Sequence, residues 1–344
     1  MSENVLDIQN LKVVFPNERG LIRAVEGIDL GIARGTCVAL VGESGCGKSV
    51  TSLAAMKLLE NSGAMVRADR LELCGTDIRN LGEKEMQSFR GKKISMIFQD
   101  ALSALNPVMT VGKQLDEIFL RHMKVSKGEA RDRSIEALRL VGVPDPKSRY
   151  KAYPHELSGG MRQRVLIAMA FACNPELIIA DEPTTALDVT IQAQVLELLS
   201  GLQKSHQTGL LLITHDFSVV VRMADEICVM YSGKIVEHAP ARALFEHPLH
   251  PYTVGLIGSV AKMEDEKGAF VQIPDFLPNP MHKPQGCYFH PRCPYASEKC
   301  RRSMPPMRTL PGGRQLRCWM EAGVETLGHR KREAGGLETN GGSR

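Results

Sequence analysis

The chain has 344 residues, enough for one large domain or two with a buried core. Hydrophobic residues make up 43% of it and charged residues 24%, the balance of an ordinary globular protein. No segment approaches the ~18 consecutive apolar residues of a membrane-spanning helix, and MSENVLDIQN lacks the features of an export signal. We therefore expect a chain that is neither exported nor itself a channel.

The net charge of +4 is unevenly distributed. From residue 281 onward 12 Lys and Arg face 5 Asp and Glu, so the first 280 residues carry a net charge of about −3. A basic end can contact nucleic acid or lipid headgroups, or it can be a solvated disordered tail. We expect a disordered tail over residues 321–344 and no nucleic-acid partner.

The first elements in chain order surround a glycine-rich stretch. VLDIQNLKVVF (5–15) and CVALV (37–41) predict strands, and the second is apolar throughout. GESGCGKS (42–49) follows, and KSVTSLAAMKLLE (48–60) has the apolar spacing of a helix. The stretch therefore lies between a buried strand and the N-terminus of a helix.

This stretch matches the pattern G-x-x-x-x-G-K-[ST] at Gly42, Gly47, Lys48 and Ser49. Glycines allow backbone N–H groups to point at an anion, and the helix N-terminus adds free N–H groups and partial positive charge. We predict a phosphate-binding loop over residues 42–49, called the phosphate loop below. The alternative is a mobile glycine turn.

Further apolar runs predict interior strands: ISMIF (94–98), LIIAD (177–181), GLLLIT (209–214) and EICVMY (226–231). Helical stretches separate them, which indicates an α/β core with a largely parallel sheet. Residues 112–149 are helical and polar, with 129–140 the clearest amphipathic piece, and predict a helical subdomain. The proline-rich segment 273–286 predicts an extended linker.

Two further motifs carry chemistry. LIIADE ends a strand in Asp181, which can reach a magnesium ion, and in Glu182, which can polarise an attacking water as a general base. Alone, these two carboxylates could be solvated charges. LSGGMRQR (157–164) precedes a helical stretch, and Ser158 with its two glycines predicts a second anion-binding turn.

The phosphate loop, Gln99 in FQD, LSGGMRQ, LIIADE, ALD and His215 in THD occur in the order of the ATP-binding cassette (ABC) family, which the chain resembles over about residues 5–245. The resemblance implies an α/β P-loop nucleotide-binding domain over residues 1–245, with a helical subdomain at about 100–175. It also implies that two cassettes pair head to tail, each closing over the partner's nucleotide.

The resemblance implies these roles by position. Lys48 and the loop would hold the β- and γ-phosphates; Ser49, Gln99 and Asp181 would bind Mg²⁺. Glu182 would be the base, His215 would sense the γ-phosphate, and Ser158 and Gly160 would act in trans, with Asp188 at the dimer seam. Phe15 would stack on adenine, although a core phenylalanine is an even alternative. The nucleotide-binding set is thus Phe15, Gly42, Ser44, Gly45, Cys46, Gly47, Lys48, Ser49, Val50, Gln99, Ser158, Gly160 and Asp188.

HPYT (250–253) and GCYFHPRCPYASEKC (286–300) resemble the C-terminal extension of ATPase subunits of bacterial dipeptide and oligopeptide importers, including nickel importers. We expect that extension over residues 246–320. The implied partners are a second cassette subunit, two membrane permeases and, indirectly, a periplasmic solute-binding protein, with this chain peripheral on the cytoplasmic membrane face. A soluble non-transport ABC ATPase is disfavoured, because the insert is short and only one cassette is present.

Four cysteines crowd the extension: Cys287, Cys293, Cys300 and Cys318. Their spacing is unlike the paired C-x-x-C of structural zinc sites, and a proline-rich segment with few apolar residues needs a staple to fold. Free thiols, zinc and an iron–sulfur cluster remain open. Arg292, Arg301, Arg302 and Arg317 lie beside these cysteines in the sequence, where they could offset the negative charge of four thiolates. The resemblance implies a [4Fe–4S] cluster.

Overall fold

A computed structural model describes residues 4–185, 187–260 and 277–320. The tail at 321–344, predicted to be disordered, lies outside the described residues. So does the first part of the predicted linker, residues 273–276.

The strands are β1 Asn4–Asn17, β2 Gly20–Ala33, β3 Cys37–Val41, β4 Met65–Arg67, β5 Arg70–Leu73, β6 Thr76–Asp77, β7 Ile94–Ile97, β8 Leu177–Asp181, β9 Gly209–Thr214, β10 Glu226–Tyr231, β11 Lys234–Pro240, β12 Arg308–Thr309 and β13 Gln315–Leu316.

The helices are α1 Lys48–Ala55, α2 Glu83–Phe89, α3 Ala101–Ala104, α4 Val111–Met123, α5 Lys127–Leu140, α6 Pro146–Arg149, α7 Gly159–Phe171, α8 Val189–His206, α9 Phe217–Met223, α10 Ala241–Glu246, α11 Pro251–Val260 and α12 Glu298–Arg302. Within the described residues, no helix is both long and apolar enough to span a membrane.

The larger sheet has the order β12-β13-β11-β10-β3-β9-β8-β7, and β10, β3, β9, β8 and β7 run parallel. Every residue of β3, β8 and β9 is buried, as strands covered on both faces require. These five parallel strands are the interior strands predicted from the apolar runs. The α/β class with a largely parallel core sheet is confirmed.

A second, antiparallel sheet has the order β2-β1-β5-β6, with β4 also paired to β1. The sequence predicted β1 alone. Helix α1 packs beneath this sheet and ends at Ala55, five residues before the predicted end. Lys57 takes a left-handed φ of 51° there, which an α-helix cannot continue through.

The predicted helical insert contains α3 to α6 and leads into α7, with α4 and α5 packed together. Helix α5 covers the predicted amphipathic piece. Gly112 in α4 lies under the ring of Tyr150, where a Cβ would come within 2.3 Å of a ring carbon. The domain boundaries proposed from the sequence stay predictions.

The predicted C-terminal extension, which is described over residues 246–260 and 277–320, joins the core sheet. Strand β13 pairs with β11, and the Arg317 N–H donates to the carbonyl oxygen of Val236. The carboxylate of fully buried Glu237 accepts the N–H groups of Leu249 and His250 and pairs with Arg314 at 3.0 Å. The extension therefore shares the sheet and hydrogen bonds of the core.

The predicted linker packs against the core where it is described. Residues 277–286 form no helix or strand, yet Lys283 Nζ donates to the carbonyl oxygens of Arg23 and Ser232 and pairs with Glu26 at 2.7 Å. This segment is anchored to the core, and it contains a turn in which the His282 N–H donates to the carbonyl oxygen of Asn279. It is therefore not extended throughout its described part.

A substitution at Leu316 tests whether the extension contributes to the stability of the folded protein. Its side chain is fully buried, so Leu316→Ala should lower the free energy of unfolding by about 2–5 kcal/mol in a denaturant titration. The control Leu140→Ala, at a side chain 63% exposed in α5, should change it by less than about 0.5 kcal/mol. Equal effects of the two substitutions would show that the extension does not contribute to the core.

Candidate functional site

The phosphate loop joins β3 to α1 at the carboxyl edge of the parallel sheet. Gly42, Gly45 and Gly47 have φ values of 153°, 83° and 113°, which L residues rarely adopt. A Cβ on Gly42 would lie 2.2 Å from the carbonyl oxygen of Met230, and one on Gly47 would lie 2.6 Å from that of Ala24. Backbone conformation requires glycine at all three positions, and close packing requires it again at Gly42 and Gly47.

Lys48 lies inside the loop with 5% of its surface exposed. Its ammonium group donates to the carbonyl oxygens of Gly42 at 2.7 Å and Glu43 at 3.1 Å. Ser44, Gly45 and Ser49 are exposed, so the loop is open on one side. A buried cation and an open rim of backbone N–H groups together suit a phosphate.

Two predicted loop contacts have side chains that face the core. Cys46 is buried, and Val50 is partly buried against the first hydrophobic cluster. Only their backbone groups remain available to a ligand.

Asp181 ends β8 beside the phosphate loop, 6% exposed. Burial raises the pKa of its carboxyl group, while a hydrogen bond with Ser49 opposes this shift. Its Oδ1 is buried without a hydrogen-bond partner in the described part of the chain. An orphaned carboxylate oxygen beside a serine hydroxyl fits Mg²⁺, which takes oxygen ligands.

The carboxylate of Glu182 contacts three other polar side chains. Its Oε2 accepts from Gln99 Nε2 and from the Thr185 hydroxyl, each at 3.0 Å, and its Oε1 lies 3.1 Å from His215 Nδ1. Gln99, predicted as a magnesium ligand, is thus bonded to the predicted base. The arrangement can orient a water and accept its proton.

The sheet brings these residues together. Strands β8 and β9 are parallel neighbours, with Asp181 opposite Ile213, and the Glu182 N–H donates to the Ile213 carbonyl. His215 follows β9 directly, so it meets Glu182 across the strand ends. Glu182 has a left-handed φ of 47°, a strained conformation for a glutamate that turns it out of the strand direction.

The signature turn, residues 157–161, starts helix α7. Ser158 caps that helix by accepting the Met161 N–H at 3.4 Å, and Gly160 faces Ile191, where a Cβ would approach a methyl group to 2.7 Å. Asp188 caps α8 by accepting the Ile191 N–H at 2.9 Å. Among the described residues, no hydrogen bond joins Ser158 or Gly160 to the phosphate loop of the same chain.

Phe15 lies near the β1–β2 turn, opposite Ile22. Its side chain is partly buried and packs against the first hydrophobic cluster. The structure thus gives it a packing role, and adenine stacking stays a prediction.

The four extension cysteines line one small cavity, called the cysteine cavity below, together with His250, Phe289, His290, Tyr295 and Trp319 among others. Its volume is about 20 Å³, little more than a water needs. Burial raises the pKa of the Cys287 thiol to about 12 and that of Cys293 to about 11. Without a bound cation these thiols would stay protonated.

The donor chemistry of the cavity fits an iron–sulfur group, which takes four thiolates. Across the described residues, however, no three His, Cys, Asp or Glu side chains are arranged to hold a metal ion. Two of the arginines predicted to lie beside the cysteine ligands form ion pairs with carboxylates. Arg292 pairs with Glu43, and Arg302 pairs with Glu298. The match to an iron–sulfur group therefore rests on the presence of four thiols around the cavity and not on their arrangement.

Sequence reasoning missed two sets of residues at this site. Thr185, in the stretch DEPTT, contacts Glu182, and its hydroxyl next to the carboxylate motif was the available signal. Tyr252 and Arg292 contact Glu43 from more than 200 residues away. No local pattern encodes that contact.

Comparison with known proteins agrees with these features. The ABC transporter family profile matches residues 25–185, and the profile for the C-terminal region of oligopeptide/dipeptide transporters matches residues 236–300. The oligopeptide transport ATP-binding protein AppD of Bacillus subtilis is 47% identical over 323 residues, 93% of this chain and 98% of that protein. The dipeptide transport ATP-binding protein DppD of Escherichia coli is 46% identical over 326 residues, 94% and 99% respectively.

Solved structures resemble the cassette part. A dimeric ATP-binding cassette in a post-hydrolysis state bound to ADP and Pi has a TM-score of 0.60 and 26% identity, covering 69% of this chain and 99% of that one. CbiO1 of Clostridium perfringens, part of an ABC transporter complex, has a TM-score of 0.60 and 25% identity, covering 71% and 92%.

Proposed function

Because this chain belongs to the ABC transporter family of ATP-binding proteins, we propose that it is the ATP-hydrolysing subunit of an importer for di- or oligopeptides. The convergence of Gln99, Thr185 and His215 on Glu182, beside the phosphate loop, is the observation that carries the ATPase assignment. Near full-length similarity to oligopeptide and dipeptide transport proteins supports the substrate class. Nickel or another small solute is the alternative cargo.

In this proposal the phosphate loop binds the β- and γ-phosphates through its N–H groups and Lys48. Ser49 and Asp181 would hold Mg²⁺, with Gln99 joining them by leaving Glu182. The orphaned Oδ1 of Asp181 supports this assignment. The ion would neutralise charge on the phosphates.

Hydrolysis then depends on Glu182. It would orient a water toward the γ-phosphorus and accept its proton as the water oxygen bonds to phosphorus and the bond from phosphorus to the β–γ bridging oxygen breaks, which releases ADP and phosphate. His215, 3.1 Å from Glu182, would report the γ-phosphate to the base. Positioning and charge neutralisation supply most of the catalysis.

A second cassette would complete the site. Ser158 and Gly160 would close over the partner's nucleotide, and Asp188 would lie at the seam. Val189 next to Asp188 is 83% exposed, an apolar side chain that a partner surface would cover. A heterodimer with a different cassette is our expectation for a peptide importer.

The permeases would dock beside Gln99. An open cleft of about 570 Å³ lies between α2 and the helical insert, lined in part by Gln87, Arg90 and Gln114. Phe98, Leu102 and Val108 on the adjoining segment are 43%, 52% and 79% exposed. This apolar surface suits a short helix of a membrane subunit, which would hold the chain peripherally at the cytoplasmic membrane face. Peptide would reach only a periplasmic binding protein and the permeases.

For the cysteine cavity, we propose a [4Fe–4S] cluster held by Cys287, Cys293, Cys300 and Cys318, with zinc as the alternative. Four thiol donors around one cavity support a cluster. Its role would be to fasten the extension. Binding would require the small cavity to widen.

Glu182→Gln tests the catalytic assignment. The substitution keeps the shape and removes the base, so ATP binding should persist while steady-state turnover falls by roughly 10²–10⁴-fold. An ATP-bound closed dimer should accumulate in size-exclusion chromatography with light scattering. Glu197→Gln, at an exposed carboxylate of α8, should leave turnover unchanged. Wild-type turnover in Glu182→Gln would refute the proposal.

Val108→Glu tests the permease surface. A charge on this exposed apolar side chain should reduce co-purification with the membrane subunits several-fold, because it would have to be buried at the interface. Nucleotide affinity should stay unchanged. Val221→Glu, at a 61% exposed side chain of α9, is the control. Equal co-purification of the two variants would place the permease elsewhere.

Anaerobic purification tests the cysteine site. The cluster predicts a brown protein with about four irons and four labile sulfides per chain, and Cys293→Ser should lose colour and lower the melting temperature. Cys173→Ser, at a partly buried cysteine in the turn after α7, should keep the colour. A colourless chain with one equivalent of zinc would establish the alternative.

A further inference from the structure

Glu43, the second residue of the phosphate loop, is held by the C-terminal extension. Its backbone N–H donates to the hydroxyl of Tyr252 at 2.9 Å. Its carboxylate pairs with Arg292 at 3.0 Å. Both partners lie far along the chain, in α11 and in the turn just before Cys293.

The same residue also faces the phosphate lysine. The Glu43 carbonyl oxygen accepts from Lys48 Nζ at 3.1 Å. Glu43 thus bonds to the extension through its backbone N–H and its carboxylate. Its carbonyl oxygen accepts a hydrogen bond from the ammonium group of Lys48. Moving Glu43 would move an acceptor that fixes Lys48.

The two bracing side chains are rigidly placed. Tyr252 is fully buried and Arg292 has 5% of its side chain exposed. The ring of Tyr252 packs against Tyr231 at 4.7 Å and Phe289 at 5.4 Å between centroids, and Arg292 also donates to the Tyr231 hydroxyl at 3.4 Å. A packed cluster of this kind transmits displacement because it has little free volume.

This cluster also borders the cysteine cavity. Phe289 lies between Cys287 and Cys293 in sequence and lines the cavity, and both cysteines pack against the same hydrophobic cluster as Tyr231 and Tyr252. The contacts are therefore continuous from the cavity to the phosphate loop.

Electrostatics gives Arg292 a second effect. A carboxylate in a phosphate-binding loop repels the phosphates, and the repulsion is strong where water is scarce. The guanidinium of Arg292 neutralises Glu43 and holds its carboxylate toward the extension. Without Arg292, the uncompensated negative charge of Glu43 would weaken nucleotide binding by repelling the phosphates.

We propose that Tyr252 and Arg292 are positioning residues that brace the phosphate loop through Glu43 and couple nucleotide binding to the region around the cysteine cavity. The inference rests on the nucleotide site proposed above. Because coupling free energy is reciprocal, nucleotide should tighten the extension as the extension tightens nucleotide.

Affinity of the full-length chain for MgADP, measured by calorimetry, tests the brace. Arg292→Gln and Tyr252→Phe should each weaken binding, roughly five- to tenfold for Arg292→Gln. Arg302→Gln, which breaks the exposed pair with Glu298 in the same extension, should bind like the wild type. Adding Glu43→Gln to Arg292→Gln should restore part of the affinity, because it removes the unpaired carboxylate.

Hydrogen exchange supplies a measurement that does not depend on those variants folding. In the wild type, MgADP should slow amide exchange over residues 287–293 as well as in the phosphate loop, with no change over α5. Tyr252→Phe, which keeps the ring packing, should lose the effect at 287–293.

The outcomes separate the two proposals. A wild-type chain that does not bind MgADP would contradict the nucleotide site itself. Binding that protects the phosphate loop but leaves residues 287–293 unchanged, or equal affinities for Arg292→Gln, Tyr252→Phe and Arg302→Gln, would overturn the brace alone.

Discussion

Two opposite charges buried at the carboxyl edge of one parallel sheet organise this protein. Lys48 and Asp181 are almost inaccessible to water, and burying a charge is costly unless polar groups compensate for it. Lys48 is compensated by two loop carbonyls, which need the glycine-supported curvature of residues 42–47. Asp181 keeps an unpartnered oxygen beside Ser49, which supports the proposal that a cation binds at this edge.

The sheet topology supplies the rest of the site. β3 sits between β10 and β9, and β9 sits next to β8, so the segments that leave these strands emerge side by side. Glu182 follows β8 and His215 follows β9, while Gln99 follows β7 on the other side. Three residues far apart in sequence thus meet because parallel strands end at a common edge. The strained φ of Glu182 aims the carboxylate at that meeting point.

The C-terminal extension is joined to the core sheet and to the phosphate loop by hydrogen bonds and an ion pair. Glu237, buried in β11, binds the backbone at Leu249 and His250 and the side chain of Arg314, so the start and end of the extension share one anchor. Its aromatic cluster then reaches Glu43. A segment that looks like an appendage in the sequence is part of the support of the phosphate loop.

The sequence by itself determined the parallel core strands, the phosphate loop and the order of the motifs, because strands buried on both faces must be continuously apolar and a phosphate loop must be glycine-rich. It did not determine β2 or β4 to β6, which are half-exposed or very short, nor the pairing of β13 with β11. Only the tertiary structure decided that Gln99 contacts Glu182 and that Tyr252 and Arg292 contact Glu43. Such contacts join single polar groups across 83 to 249 positions, and a lone hydrogen bond leaves no periodic or compositional trace in the chain.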